Sequence, residues 1–163
     1  AKAEVAGWPG IGWLARATGT LFIRRDRAEA AAQARRFAAR LAEGQRLLLF
    51  PEGTSTDGQR VLPFKPTLFA AFFAPDMKDD AHVQAITVKY TAPAGQDPRF
   101  YGWWGDMGFG PHLLQVLAVP RPGAVEVIYH PPLRVADFAG RKALAGHAEH
   151  QVRAGLRTGA PAP

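Results

Sequence analysis

The sequence contains no cysteine and no long apolar run. Without cysteine, the 163-residue chain can form no disulfide, hold no thiolate-ligated zinc and use no cysteine nucleophile. No run reaches the roughly 18 apolar residues that a membrane span needs, and no signal peptide is recognisable. Because no repeat and no linker-like stretch divides the chain, we expect one domain over residues 1–163, with a loose tail at 159–163.

Acidic residues are fewer than basic ones. The chain has 14 Asp and Glu against 20 Lys and Arg, which gives a net charge of +6. Such an excess favours an anionic partner, and basic residues near an anionic membrane surface contribute about 1 kcal/mol each. Scattered arginines that only solvate helices are the alternative. No helix-turn-helix signature, zinc ligand set or repeated basic-aromatic platform is present, so we expect no nucleic acid partner.

Short apolar runs alternate with amphipathic stretches along the chain. Strands are expected at 20–23, 46–50, 83–90 and 124–130, and helices at 8–17, 27–42, 67–73 and 138–157. Strands separated by helices predict a single-domain α/β fold with a mostly parallel central sheet flanked by helices. Gly44 is expected to end the second helix, and Pro66 to open the third.

The pattern gives way to glycine, proline and aromatic residues at about 92–110. An irregular stretch of this length in a compact domain is usually functional. Trp103 and Trp104 fit a lipid interface, which accommodates both the apolar ring and the indole N–H. They fit equally well as a cover over the sheet, and the sequence leaves both interpretations open.

The run Phe50-Pro51-Glu52-Gly53-Thr54 follows directly on an apolar segment that predicts a buried strand. Pro51 cannot donate to a ladder, so strand pairing should stop there. A carboxylate, a backbone without a Cβ and a hydroxyl then lie at a strand end, where open α/β sheets usually bind ligands. The alternative is a surface turn in which the Glu52 carboxylate only caps nearby backbone.

This run resembles the Phe-Pro-Glu-Gly-Thr block of the glycerolipid acyltransferases, the family of 1-acylglycerol-3-phosphate acyltransferase. Residues 19–25 are similar to the family's Gly-x-x-Phe-Ile-x-Arg motif, residues 62–65 to its trailing Phe-Lys, and residues 83–90 lie where its fourth block lies. Ordered blocks over about residues 1–90 are more specific than one motif. Residues 101–107 resemble a segment of the branch that includes lyso-ornithine lipid acyltransferases.

The resemblance implies transfer of a fatty acyl group from acyl-CoA or an acyl carrier protein to the free hydroxyl of a lysolipid. The acceptor would be 1-acylglycerol-3-phosphate or, alternatively, a lyso-ornithine lipid, in membrane lipid biosynthesis. No cofactor beyond the acyl donor and no metal is expected. An anionic membrane surface is the expected partner, which implies the cytoplasmic face of the inner membrane; the oligomeric state stays open.

The resemblance also implies which residues bind substrate. Arg25 would bind the anionic head group of the acceptor, while its neighbour Arg24 would face the other way if both lie at a strand end. Lys65 would complete a basic wall, unless it only covers an aromatic surface. The remaining expected binding residues are those of the motif itself: Phe50, Pro51, Glu52, Gly53 and Thr54.

The chain departs from the family pattern in its histidines. The family's general base belongs to a His-x-x-x-x-Asp block, and no histidine here is followed by Asp at that spacing: His82, His112, His130, His147 and His150. We therefore expect the base, and any membrane-inserting segment, upstream of Ala1, and this chain alone to be inactive. An inactive lipid-binding module is one alternative, and a basic nucleic-acid-binding domain, for which the sequence shows no motif, is the other.

Two further departures concern single residues. Ala85 stands where the fourth block usually has proline. Ser55 stands where many members carry arginine, whose planar fork suits bidentate recognition of phosphate. The second departure leaves the identity of the acceptor open.

Overall fold

The computed structural model describes residues 3–20, 30–75 and 77–158. The chain divides into two compact units, Ala1–Leu47 and Leu48–Pro163. The single domain over residues 1–163 stays a prediction. The predicted tail at 159–163 lies outside the described residues, as do residues 21–23 of the first predicted strand and residues 27–29 of the second predicted helix.

The first unit is helical in its described part. Its elements are a 3-10 helix and two α-helices: Ala3–Gly7, α1 (Ile11–Ala17) and α2 (Ala30–Ala42). Helix α2 ends as the sequence predicts. Gly44 adopts a φ of 75° and donates its N–H to the carbonyl of Leu41 at 2.9 Å, which satisfies a carbonyl of the last turn. The Arg40 guanidinium donates to the carbonyl of Gly19.

The second unit combines short strands with helices. In chain order its elements are a 3-10 helix (Pro66–Phe73), β1 (His82–Val83), β2 (Ile86–Thr91), α3 (Phe109–Leu117), β3 (Ala124–Tyr129), β4 (Leu133–Arg134), a 3-10 helix (Val135–Asp137) and α4 (Arg141–Thr158). Pro66 opens the first of these helices as predicted, because proline lacks only an N–H that a first turn leaves unused. The predicted strand 83–90 is divided between β1 and β2.

Both ladders among the described strands are antiparallel. Strand β1 pairs with β4, and β2 pairs with β3 from Ile86 opposite Tyr129 to Thr91 opposite Ala124. The expectation of parallel pairing is therefore wrong for these strands. The physical reason is the connection: the chain leaves β2 at Thr91 and returns beside that same end, whereas a parallel crossover must carry it back along the strand. The buried strand predicted at 46–50 is also wrong: these residues form no ladder with any described strand, and Leu48 and Phe50 are 73% and 74% exposed.

The core of the second unit lies where α4 packs on β2 and on the 3-10 helix Pro66–Phe73. Phe69 and Leu144 are buried there, and the Phe64 and Phe69 rings stack at 6.5 Å between centroids. Gly155 permits close approach of α4, since a Cβ at that position would lie 2.5 Å from Thr87 Oγ1. The same packing fixes the chain just ahead of Pro66, which includes part of the predicted site.

Polar groups fasten α4 to the β2–β3 ladder. The buried Thr87 hydroxyl lies 3.1 Å from the carbonyl of Val152 and 2.8 Å from His130 Nε2. A carbonyl can only accept, so the hydroxyl donates to Val152 and accepts the Nε2–H of His130. This assigns the proton of His130 to Nε2.

The irregular stretch is shorter than predicted, because α3 begins at Phe109. The Trp103 indole N–H donates to the carbonyl of Met107 at 2.7 Å, and its ring meets Phe109 edge-on at 5.2 Å between centroids. Trp103 is half-buried and braces the start of α3. Among the described residues no helix is long and apolar enough to cross a membrane.

Candidate functional site

The motif forms a tight turn at the start of the second unit. The Gly53 N–H donates to the carbonyl of Phe50 at 3.1 Å, and Gly53 has a φ of 70°, a conformation that glycine adopts without strain. A Cβ on Gly53 would lie 2.6 Å from Lys65 Nζ. Glycine at this position therefore adopts the backbone conformation of the turn without strain and lets the Lys65 side chain lie against it.

Lys65 lies over this turn and is held there by its own backbone. Its N–H donates to the carbonyl of Pro51 at 2.9 Å, while its side chain is exposed. None of the ion pairs formed between described residues includes Lys65. The structure thus places an ammonium group beside the glycine of the motif, where an anionic group of a substrate can reach it.

Glu52 caps nearby backbone, as expected if the motif is a surface turn. Its Oε2 accepts the N–H of Leu62 at 2.7 Å in a partly buried position. The carboxylate therefore ties residues 62–65 to the motif turn. Any contact of Glu52 with substrate stays a prediction.

The remaining predicted residues differ in exposure. Phe50 is 74% exposed and Thr54 is exposed, while Pro51 is half-buried. Arg25 lies outside the described residues, so its predicted place beside Glu52 stays a prediction. The structure brings together Pro51, Glu52, Gly53 and Lys65. No group of three or more side chains that could hold a metal ion occurs in the described part of the chain.

A second carboxylate, which sequence reasoning missed, holds the same segment. Glu149 of α4 accepts the N–H of Phe64 at 2.9 Å on Oε2 and the Nε–H of Arg153 at 2.8 Å on Oε1. Burial would raise the pKa of the Glu149 carboxyl, but the hydrogen bonds from Phe64 and Arg153 outweigh it, and the pKa lies below its usual value. The only signal in the sequence is the i,i+4 spacing of Glu149 and Arg153.

A cavity of about 230 Å³ adjoins the motif. Its wall begins at Ser55, directly after Thr54, and continues through Asp57 and Gln59. The rest of the lining comes from residues 90–103 and includes the rings of Tyr90, Tyr101 and Trp103. The two parts of the lining are packed together, because a Cβ on Gly102 would lie 2.7 Å from the carbonyl carbon of Asp57 and Gln59 Nε2 donates to the carbonyl of Pro98 at 3.1 Å.

Comparison with known proteins gives the relatives of this chain. The family model described as Acyltransferase matches residues 1–89. Over 155 residues the chain is 60% identical to the lyso-ornithine lipid O-acyltransferase of Rhodobacter capsulatus, and the alignment covers 95% of this chain and 56% of that protein. It is 28% identical over 155 residues to the 1-acyl-sn-glycerol-3-phosphate acyltransferase of Neisseria gonorrhoeae, with coverages of 94% and 58%.

A solved structure shares the fold. The crystal structure of the 1-acyl-sn-glycerophosphate (LPA) acyltransferase from Thermotoga maritima matches with a TM-score of 0.64 and 22% identity, over 96% of this chain and 54% of that chain. At this identity the likeness concerns the fold alone. The chain spans little more than half the length of the relatives it matches.

Proposed function

The chain belongs to the acyltransferase family, and we propose that the complete protein transfers a fatty acyl group from an acyl thioester to the hydroxyl of a lysolipid in membrane lipid biosynthesis. The observation that carries the proposal is the placement of Lys65 over Gly53 in the Phe-Pro-Glu-Gly-Thr motif. A cation beside a turn without a Cβ suits the anionic head group of an acceptor or the oxyanion of an acyl transfer.

The proposed reaction is a single acyl transfer. The acceptor hydroxyl oxygen attacks the thioester carbonyl, the thiolate leaves, and the hydroxyl proton passes to a general base. We propose that this base belongs to the family's His-x-x-x-x-Asp block outside these 163 residues. Either acyl-CoA or an acyl carrier protein would supply the thioester, and no other cofactor enters the proposed chemistry.

We propose a lyso-ornithine lipid as the acceptor, ahead of 1-acylglycerol-3-phosphate. The support is the identity of 60% with a lyso-ornithine lipid O-acyltransferase, against 28% with a 1-acyl-sn-glycerol-3-phosphate acyltransferase. Ser55 agrees with this choice, because the serine offers a phosphate no bidentate partner. An ornithine head group carries a carboxylate and an ammonium, for which one lysine suffices as the cation.

The function is tested with the complete protein that contains this chain. Labelled acyl thioester is supplied with vesicles that contain one lysolipid each, and the labelled lipids are separated. We expect a labelled diacyl lipid from at least the lyso-ornithine lipid. Folded protein that hydrolyses the thioester, or leaves it intact, with every lysolipid would contradict the proposal.

Arg25→Ala in the complete protein is expected to raise the KM for the acceptor much more than the KM for the acyl thioester. The reason is that Arg25 is proposed to supply binding energy for the acceptor head group alone. Arg24→Ala is the matched control, since in the strand end predicted from the sequence neighbouring side chains would face opposite sides. Steady-state kinetics with each substrate varied in turn will decide, and equal increases in both KM values would remove this role from Arg25.

We propose that the protein works against the anionic cytoplasmic face of the inner membrane. The net charge of +6 supports this location, and so does an exposed apolar surface on α3. Leu114 and Leu117 are 68% and 70% exposed, and Met107, which precedes the helix in sequence, is also exposed. Trp103 and Trp104 are half-buried, so the leucines are better placed than the tryptophans to enter a lipid surface.

Binding to vesicles should rise with the fraction of anionic lipid and fall with added salt, because exposed charges are screened. Replacing Leu114 and Leu117 together with Gln should weaken binding at every salt concentration. Co-sedimentation of the complete protein measures both effects. Binding that ignores lipid composition and the leucine replacements alike would argue against this surface.

A further inference from the structure

The cavity next to the motif has the lining of a site for an organic cation. We propose that it binds the ammonium group of an amino-acid head group on the acceptor lipid, with Asp57 as the anionic partner and aromatic rings as the remaining wall. This inference rests on the proposed function and names the part of the acceptor that the site recognises.

The charge of the lining favours a cationic ligand. Among the described residues that line the cavity, Asp57 alone bears a formal charge, and its side chain is only 17% exposed. Its Oδ1 accepts the N–H of Gln59 at 3.1 Å, and its Oδ2 lies 3.7 Å from the guanidinium of Arg60, which is 65% exposed. The two groups form an ion pair, but the separation is too long for a hydrogen bond, so Oδ2 can still accept one from a ligand.

The aromatic part of the lining also favours a cationic ligand. The indole N–H of Trp103 is donated to Met107, and the hydroxyl oxygen of Tyr101 accepts the N–H of Gly123 at 2.9 Å. Tyr90 packs on Tyr101 with 5.6 Å between ring centroids. The indole N–H of Trp103 is therefore already engaged, and Tyr90, Tyr101 and Trp103 offer ring surface to the cavity. Ring faces attract cations, whereas a phosphate would meet the Asp57 carboxylate, although Arg60 pairs with that carboxylate on its exposed side.

The position and size of the cavity suit an amino-acid head group. It begins one residue after Thr54, so it adjoins the turn over which Lys65 lies. An amino-acid head group has a carboxylate for Lys65 and an ammonium for Asp57, at opposite ends of one small molecule. A cavity of roughly 150 Å³ holds a benzene-sized ligand, so about 230 Å³ suits a head group.

The test combines a protein change with a chemical change in the acceptor. The complete protein and its Asp57→Asn variant are assayed with lyso-ornithine lipid and with the same lipid after acetylation of its side-chain amine. Asparagine keeps an oxygen for the Gln59 N–H, so the turn is preserved. We expect acetylation to raise the acceptor KM of the unchanged protein about tenfold. Asp57→Asn should raise the KM by less, because the rings still attract the ammonium. In the variant, acetylation should then raise the KM only about threefold, because the interaction with Asp57 is already lost.

Two more variants complete the design. Asp106→Asn changes an exposed acid of the neighbouring irregular segment that does not line the cavity, and it should leave the acceptor KM unchanged. Tyr90→Leu replaces a half-exposed ring, and should raise the KM about threefold for the free amine only. It serves as the second test if Asp57→Asn does not fold.

The proposal would be overturned if the effects of acetylation and Asp57→Asn on the acceptor KM were independent and multiplied. An unchanged acceptor KM in Asp57→Asn would also overturn it. Where that variant does not fold, an unchanged acceptor KM in Tyr90→Leu would do the same. Failure of the proposed function gives a different result, since the unchanged protein would then form no acylated product with any lysolipid. Transfer to 1-acylglycerol-3-phosphate alone would keep acyl transfer and overturn the cation site.

Discussion

Replacing Glu149 with alanine is expected to lower the free energy of unfolding by about 2 kcal/mol and to raise the acceptor KM of the complete protein about tenfold. The change leaves the partly buried N–H of Phe64 without its acceptor and removes the ion partner of Arg153. An unmade hydrogen bond of this kind costs about 1 to 3 kcal/mol. Because Lys65 follows Phe64 directly, the ammonium group should lose its fixed place over Gly53.

Glu149→Gln separates the hydrogen bond from the charge. The amide oxygen can still accept the Phe64 N–H, so the acceptor KM of the glutamine variant should be close to that of the unchanged protein. The attraction to Arg153 is nevertheless lost. Urea unfolding measures the stability, and steady-state kinetics measure the acceptor KM. A glutamine variant with the same KM defect as the alanine variant would show that Glu149 does not position Lys65 through Phe64.

The same contact predicts a dependence of stability on pH. The pKa of the Glu149 carboxyl is lower in the folded protein than its usual value, so the unfolded chain takes up the proton first as the pH falls. The stabilisation is complete above the unfolded-state pKa and is lost as the pH falls through the folded-state pKa. The stability difference between the protein and Glu149→Gln should therefore shrink from neutral pH to the acid range below the usual glutamate pKa, and a difference constant across that range would contradict this.

Gly53→Ala is expected to cost about 1 to 2 kcal/mol of stability and to raise the acceptor KM about tenfold. The left-handed backbone accounts for the loss of stability, since an L-residue is strained at a φ of 70°. The KM effect has a separate cause, because the new Cβ would meet the Lys65 side chain, with Nζ at 2.6 Å and Cδ and Cε at 3.1 Å. The flexible lysine must move, and the cation leaves the site.

Gly95 provides the matched control for Gly53. It has a φ of 78°, and a Cβ added there would meet nothing within 4 Å, so Gly95→Ala should lose similar stability without a change in KM. Lys65→Ala should raise the acceptor KM as Gly53→Ala does, and the double variant should be no worse than Lys65→Ala. If Gly53→Ala matched Gly95→Ala in KM, the contact between Gly53 and Lys65 would have no part in acceptor binding.

The features that the sequence predicted correctly are local ones. Gly44 ends α2 and Pro66 opens a helix, and each follows from the conformational preferences of a single residue type. Helix α3 was missed because Gly108, Gly110 and Pro111 at its start are typical of loops. Proline is nevertheless tolerated in a first turn.

The features that the sequence did not predict depend on distant contacts. The strand regions near 83–90 and 124–130 were found from their composition, but nothing local to them specifies that Thr91 pairs with Ala124 and so makes the ladder antiparallel. Glu149 holds Phe64 from 85 residues away, so helical periodicity could place it only on a helix. The motif could therefore be predicted from sequence, while the support for Lys65 became visible only in the structure.

The most direct test of the account is a competition between two acceptors. The complete protein receives a limiting amount of labelled acyl thioester in vesicles that contain equal lyso-ornithine lipid and 1-acylglycerol-3-phosphate. The division of label measures the ratio of the two kcat/KM values. We predict at least about tenfold more label in the ornithine lipid, a difference of about 1.4 kcal/mol in transition-state binding. Equal division, or more label in the phosphate-bearing product, would contradict the account.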